Sequence, residues 1–322
     1  MEFPEDEEIQ SRGLMILIHF FRLYAVGLDD QLVAEDLVVN VPLKFIKELE
    51  EILLRKDLHK VLAHAIITYT GDARLLGQAF TLLLRVAKDE QVMKFCKLPS
   101  LVLWSIARNL ELKVFVSSAL GSLFCRLKHD FLLLQALADD GILTVLSLVL
   151  SEYRGDASIL RSAFQLIFLL LDKEEGCRSK AVGIGPSITR AMGEHLDDPS
   201  LLMACSGILW HISNEGSAEK VRLTTEARAV TYLVRVLLQY ACHYKLQVLA
   251  CGALCSLSLT SDPCVMRALV MSRAADALGA SLYQHPQRDH VVHPAFAILT
   301  RMDEFVDRQR DAGGITISHA GS

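Results

Sequence analysis

The sequence has no Cys-x-x-Cys pair, no block of Lys or Arg, and only 7% aromatic residues. Its eight cysteines, at 96, 125, 177, 205, 242, 251, 255 and 264, fall singly. Several sit in apolar runs such as Leu249-Ala250-Cys251-Gly252-Ala253-Leu254-Cys255. Unpaired cysteines used as small hydrophobes fit a reducing compartment and not a disulfide framework. Lys and Arg number 33 against 38 Asp and Glu, a net charge of −5. Glu2, Glu5, Asp6, Glu7 and Glu8 against Arg12 place −4 of this in the first twelve residues and leave the rest at −1. With no basic stripe, the electrostatic footprint of a nucleic-acid binder is missing. Leu14 to Val26 is apolar but short and carries His19 and Arg22; a spanning helix needs about 20 predominantly apolar residues. Its flank is acidic, where a signal peptide has a positive one. These features predict a soluble, cytoplasmic chain without membrane insertion.

What is present is apolar content and a period. Of the 322 residues 52% are hydrophobic and 22% charged, which excludes disorder for most of the chain. A single globule of this size nears the limit of about 250–300 residues at which one core stops growing. A repeat array escapes that limit, because each unit packs only on its neighbours. Val61–Glu90 aligns without a gap on Val145–Glu174, an offset of 84. Tyr69 matches Tyr153, Gly71-Asp72 matches Gly155-Asp156, Leu76 matches Leu160, and Ala79-Phe80 matches Ala163-Phe164. A shorter apolar kernel recurs six times: LLLRV at 82–86, ALGSL at 119–123, LIFLL at 166–170, ILWHI at 208–212, ALCSL at 253–257 and ILTRM at 298–302. The fourth kernel positions are Arg85, Ser122, Leu169, His211, Ser256 and Arg301, with spacings of 37, 47, 42, 45 and 45 residues, about 43 on average. Turn signals precede the kernels at Gly71-Asp72, Gly155-Asp156 and Asp197-Asp198-Pro199, and Asp is a good N-cap because its carboxylate accepts orphan N–H groups of the first turn. No long segment alternates at period two, so the class is all-α.

Two stretches carry a family resemblance. Gly207-Ile208-Leu209-Trp210-His211-Ile212-Ser213 and Gly252-Ala253-Leu254-Cys255-Ser256-Leu257-Ser258 resemble the A-L-x-N-L-S third helix of armadillo repeats, and Asp139-Asp140-Gly141-Ile142 resembles the start of a unit in that family. A period of about 40–47 residues is shared by armadillo and HEAT repeats, and HEAT-like or generic helical repeats stay open. The resemblance covers residues 58–302 and implies a right-handed superhelical solenoid of armadillo-like repeats. None of the six kernels has Asn at its fourth position, so the family's Asn ladder for peptide capture, as in nuclear-import adaptors, is not implied. Residues 1–57 read as an N-terminal helical cap, with helices at Ile9–Ala25 and Leu43–Leu54. Residues 303–322 read as the end of the last helix and a frayed tail that loses periodicity from Asp311.

Chemical constellations are sparse. His285, Asp289, His290 and His293 form a candidate metal cluster, since histidines three apart share a helical face. The competing reading is an ordinary polar helix start broken by Pro286 and Pro294. Gly183-Ile184-Gly185-Pro186 is not a phosphate loop, because Pro186 removes a donor and no strand precedes it; it reads as a turn opening a helix. No nucleophile constellation emerges, and neither Cys251 nor Cys255 has a positive sequence neighbour to lower its pKa. No enzyme activity, cofactor, metal or small-molecule substrate is therefore expected.

In a stacked solenoid the last helix of each unit lines an extended inner surface. The fourth kernel positions and residues three or four away share that face. They select Arg85 with Lys88, Ser122 with Arg126, and His211 with Gly207, Trp210 and Asn214. They also select Ser256 with Gly252, and Arg301 with Glu304; Leu169 reads as core or a hydrophobic contact point. Trp210 has two readings, an exposed anchor for an extended peptide or a ring packed on the adjoining repeat. Arg85 and Arg301 are either recognition residues or solvated side chains. The expected function is an interaction scaffold that binds a partner protein along its concave groove. The alternative is a structural subunit of a larger cytoskeletal or ciliary assembly.

Overall fold

The computed structural model describes residues 58–68, 73–87, 93, 97–214, 228–259 and 262–311. The expected cap at 1–57, the tail from 312, Lys88, Cys96 and the turn Tyr69 to Asp72 lie outside the described residues. Every regular element described is helical, and no strand occurs among the described residues.

The helices follow the kernel period. The first two repeats contribute α1 (Leu58–Thr68) with α2 (Ala73–Val86), then α3 (Leu98–Arg108) with α4 (Lys113–Leu127). The third has three helices, α5 (Phe131–Asp139), α6 (Ile142–Glu152) and α7 (Ala157–Lys173). In the fourth, 3-10 turns at Glu175–Cys177 and Ser179–Ile184 precede α8 (Gly185–Glu194) and α9 (Pro199–Asn214). The fifth supplies α10 (Ala229–Gln239) and α11 (Tyr244–Ser258). The sixth supplies α12 (Pro263–Met271), α13 (Ala274–Gln284) and α14 (Asp289–Asp311). The six kernels all lie in the last helix of their repeat: α2, α4, α7, α9, α11 and α14.

The chain forms two compact units, Met1–Val145 and Leu146–Ser322. In the first unit α2 packs along α4, with α1 against α2 and α3 against α5. Phe80 of α2 meets Phe115 of α4 edge-on, ring centroids 5.6 Å apart and planes at 89°, a preferred aromatic geometry. In the second unit α9 packs between α7 and α11, and α11 packs on α14. Behind them α10 packs against α8 and α13. Ala79, Ala119, Ala163, Ala204 and Ala250 are all buried; small side chains there let kernel helices approach closely.

Turn chemistry sets where each helix starts. Asp156 accepts hydrogen bonds from the N–H groups of Ser158 (3.0 Å) and Ile159 (3.1 Å). Asp198 accepts those of Ser200 (3.1 Å) and Leu201 (3.0 Å), and Asp130 and Asp262 cap α5 and α12. Gly183–Pro186 is the expected turn: the 3-10 stretch ends at Ile184 and α8 opens with Pro186 in its first turn.

A second corner recurs at the residue just before α3, α6, α10 and α13. Gly141 has φ +91° there, and Lys97 (φ 45°), Arg228 (φ 61°) and Arg273 (φ 62°) adopt left-handed backbone as well. Only glycine enters that region without cost. The repeat geometry thus imposes this conformation on three long basic side chains.

One polar hub ties the fifth repeat to the sixth. Gln247 is fully buried; its Nε2 donates to the carbonyls of Leu237 (3.0 Å) and Tyr240 (2.9 Å) at the end of α10. Its Oε1 accepts from the Ser281 hydroxyl of α13 at 2.5 Å. A buried amide satisfied on both sides rigidifies the corner where three helices meet.

Candidate functional site

The kernel helices bring the selected residues onto neighbouring helix faces, and a cross-repeat register appears. At two junctions of the second unit the residue three after one fourth kernel position meets the fourth kernel position of the next repeat, and at the third junction the partner stands two after it. Asp172 Oδ1 stands 3.9 Å from His211 Nε2. Asn214 Oδ1 accepts a 2.7 Å hydrogen bond from Ser256 Oγ. Arg301 Nη1 donates to Ser258 Oγ at 2.8 Å and lies 3.7 Å from Cys255 Sγ. Two successive junctions are thus bridged by hydrogen bonds, and Asp172 stands near His211 at the one before them.

Aromatic rings interlock in the same register. Phe168 lies over Gly207, and Trp210 lies over Gly252 of the next helix. A Cβ on Gly252 would stand 2.9 Å from Cδ2 and Cε2 of the indole, closer than real Cβ atoms come. Trp210 also stacks on His211, centroids 6.3 Å apart with planes at 21°, and Phe168 flanks His211 at 5.7 Å. Trp210 is half-buried, so the adjoining repeat takes one side of the ring and solvent reaches the other part.

This setting tunes His211. Burial lowers its pKa below the usual 6.5, and the Arg178 guanidinium lowers it further, while Asp172 pulls the other way. Arg178 is anchored by bonds to the Leu171 carbonyl (3.1 Å) and to Glu175 (3.2 Å). His211 is therefore a neutral hydrogen-bonding ring at pH 7, set between aromatic rings and next to both a cation and a carboxylate.

In the first unit Thr81 Oγ1 and Ser122 Oγ share a 2.8 Å hydrogen bond. Arg126 forms a 2.5 Å ion pair with Asp130 and donates to the Ala87 carbonyl at 3.0 Å. The expected basic corner of Arg85, Lys88 and Arg126 is thus partly neutralised within the helix stack; Arg85 is exposed, and Lys88 lies outside the described residues. Ser256 is buried at 5% exposure, its hydroxyl turned to Asn214, while Asn214 itself is exposed. Leu169 is half-buried, and Glu304 pairs with Arg308 at 3.2 Å. Asp172, Arg178 and Phe168 belong to the same face and were not selected from the sequence. Asp172 carries a usable signal, since it stands at the same kernel offset as Asn214.

The candidate metal residues take other roles. His285 Nε2 bonds the Ala241 carbonyl at 2.8 Å across the junction, and Asp289, His290 and His293 are exposed on the first turns of α14. Among the described residues no three or more His, Cys, Asp or Glu side chains come together as a metal site. Burial pushes the Cys251 thiol up to about 12 and raises Cys205 as well; both are core thiols and not thiolate nucleophiles. Among the described residues no single helix is long and apolar enough to cross a membrane.

Comparison with solved structures agrees with this architecture. The chain is similar to an engineered protein (TM-score 0.58, 18% identity, covering 77% of this chain and 97% of that one). It is similar to the designed armadillo repeat protein YIII(Dq)4CqI (TM-score 0.56, 15% identity, 75% and 98%). A third similar structure comes from work on a conserved phosphorylation switch controlling the interaction between cadherin and beta-catenin. There the TM-score is 0.53 at 16% identity over 96% of this chain, which spans 63% of the longer one. No protein-family model matches the chain, and no curated protein matches it. The fold is an all-α solenoid of armadillo-like helical repeats.

Proposed function

We propose that this chain is a non-enzymatic scaffold that binds a protein segment across the kernel-helix face of α7, α9, α11 and α14. The observation that carries this reading is the row of polar residues at three junctions: Asp172 beside His211, and the hydrogen-bonded pairs Asn214–Ser256 and Ser258–Arg301. The two hydrogen bonds restrain Asn214, Ser256, Ser258 and Arg301, which lowers the entropy lost when they meet a ligand. Packed helices lie about 8–10 Å apart, and an extended chain advances about 3.4 Å per residue, so each repeat meets about two to three ligand residues. The half-exposed Trp210 supplies an apolar anchor and Asn214 a free amide nitrogen beside it. The comparison involving cadherin and beta-catenin supports a protein as the ligand class. A cytoplasmic setting fits the cysteines spent in the core, among them Cys205 and Cys251.

The experiment is affinity capture of the native partner by wild type and by Asn214→Arg, followed by titration calorimetry on the partner recovered. Asn214 is exposed, so the bulky cation obstructs the face; because its Oδ1 also accepts from Ser256, a melt is run beside the affinity measurement. A loss of tenfold or more in affinity is expected; unchanged affinity with an unchanged melt overturns the reading.

A further inference from the structure

The last described repeat leaves one side of its kernel helix uncovered. In the first repeat and in the third to fifth, the residue five before the fourth kernel position is buried, while Ser117 of the second is half-buried. Phe80 holds that place in α2, where it is 1% exposed under Phe115 of α4. Phe164, Ser206 and Cys251 hold it in α7, α9 and α11, each fully buried. Phe296 holds it in α14 and is 57% exposed. The same contrast marks the residue two after the kernel position: Leu171, Ser213 and Ser258 are buried, whereas Asp303 is exposed. The Ala-Phe pair of 79–80 and 163–164 recurs at 295–296. Position 296 therefore carries an interior residue, where a terminal unit of a repeat stack has a polar outer face.

The chemistry around Phe296 selects what covers it. Asp289, His293, Phe296, Thr300, Asp303 and Asp307 follow one another at steps of three and four, hence share one side of α14, and all are exposed. The opposite side, Val291, Ala295, Ile298 and Met302, is buried. An aromatic centre is thus flanked by carboxylates, with Asp307 paired to Arg310 at 3.5 Å. A second copy docking by this same side, antiparallel about Phe296, would bring Asp303 against the other copy's Asp289, a like-charge meeting that disfavours association. Residues 312–322 contain no Lys or Arg and offer no complementary charge.

We propose that this side of α14 docks an amphipathic helix of a partner protein, its apolar stripe covering Phe296 and its Lys and Arg residues meeting Asp289, Asp303 and Asp307. Such a helix completes the stack as a further kernel helix does at the interior junctions. The surface is distinct from the face assigned to an extended ligand, and the two fail independently.

The test uses the full chain and a synthetic 18-residue helix with Leu on one face and Lys on the others, followed by fluorescence anisotropy. A counterpart with Glu in place of Lys is run beside it. Wild type should bind the Lys helix and not the Glu helix. Phe296→Asp and the double substitution Asp303→Lys, Asp307→Lys should each weaken binding at least tenfold with unchanged melts. Phe131→Asp, at a 54% exposed phenylalanine on α5, should leave it unchanged. No binding, equal binding of the Glu helix, or insensitivity to Phe296→Asp overturns the proposal. A dimer in sedimentation that Phe296→Asp dissolves would give the face to a second copy instead. Tighter peptide binding after Ile315→Asp with Ile317→Asp would give it to residues 312–322. Either result also overturns the proposal.

Discussion

Trp210 lies over Gly252, one helix further along the stack, with 2.9 Å between its Cδ2 and Cε2 atoms and the place a Cβ would occupy. Phe168 has the same relation to Gly207. These contacts join consecutive repeats, so glycine is needed there for close approach. Gly207→Ala and Gly252→Ala should each cost about 1–3 kcal/mol through overpacking. Gly279, inside α13 with nothing near its missing Cβ, should respond with the opposite sign, gaining about 0.5–1 kcal/mol as alanine. Urea midpoints at constant m-value separate the two responses.

The left-handed corners predict a second opposing pair. Gly141→Ala forces a Cβ into φ +91° and should lose about 1–2 kcal/mol. Arg273→Gly removes that strain and should gain about 1 kcal/mol. Its exposed ion pair with Asp276 offsets little of the gain, because surface pairs contribute about 0–1 kcal/mol. Thermal melts of the two variants should shift in opposite directions.

How much of this was legible follows from what repeats in the chain. The kernels recur because each last helix must bury the same face, so the apolar pattern and the Asp156 and Asp198 caps announce themselves. The corner before α6 is visible as Gly141, but nothing in the chemistry of Lys97, Arg228 or Arg273 marks left-handed backbone. The 3-10 turns between Glu175 and Ile184 were equally hidden, since a short helix and a pair of tight turns place apolar residues similarly. For the site, grouping residues by helical spacing found Trp210, His211 and Asn214 within α9. It did not pair Asp172 with His211 or Asn214 with Ser256, because repeat spacings of 37 to 47 residues conceal the register between helices.

The Gln247 hub predicts a loss confined to one corner. Gln247→Leu keeps apolar volume but leaves the Leu237 and Tyr240 carbonyls without their side-chain donor. Buried groups left unpaired cost about 1–3 kcal/mol. Hydrogen exchange should rise in the last turn of α10 and in α13 while the first unit stays protected.

His211 predicts a pH dependence. Its pKa is lowered in the folded chain below 6.5, so between the lowered value and 6.5 the unfolded chain binds more protons than the native one. Stability then rises with pH in that window. The contribution is complete above 6.5 and is lost as the pH falls toward the folded value. Denaturant titrations at several pH values should show wild type losing stability relative to His211→Gln as the pH drops from 7 to about 5.

The most direct test of the scaffold reading is site-specific photocrosslinking to the captured partner. A photoreactive phenylalanine analogue replaces Asn214 on the kernel face, and in a second chain it replaces Glu152, exposed at the end of α6. Each is irradiated in complex with the native partner, and the products are mapped by mass spectrometry. A crosslink from position 214 to one continuous partner segment is expected, and none from 152. Crosslinks from 152 alone, with 214 silent, would contradict the scaffold reading.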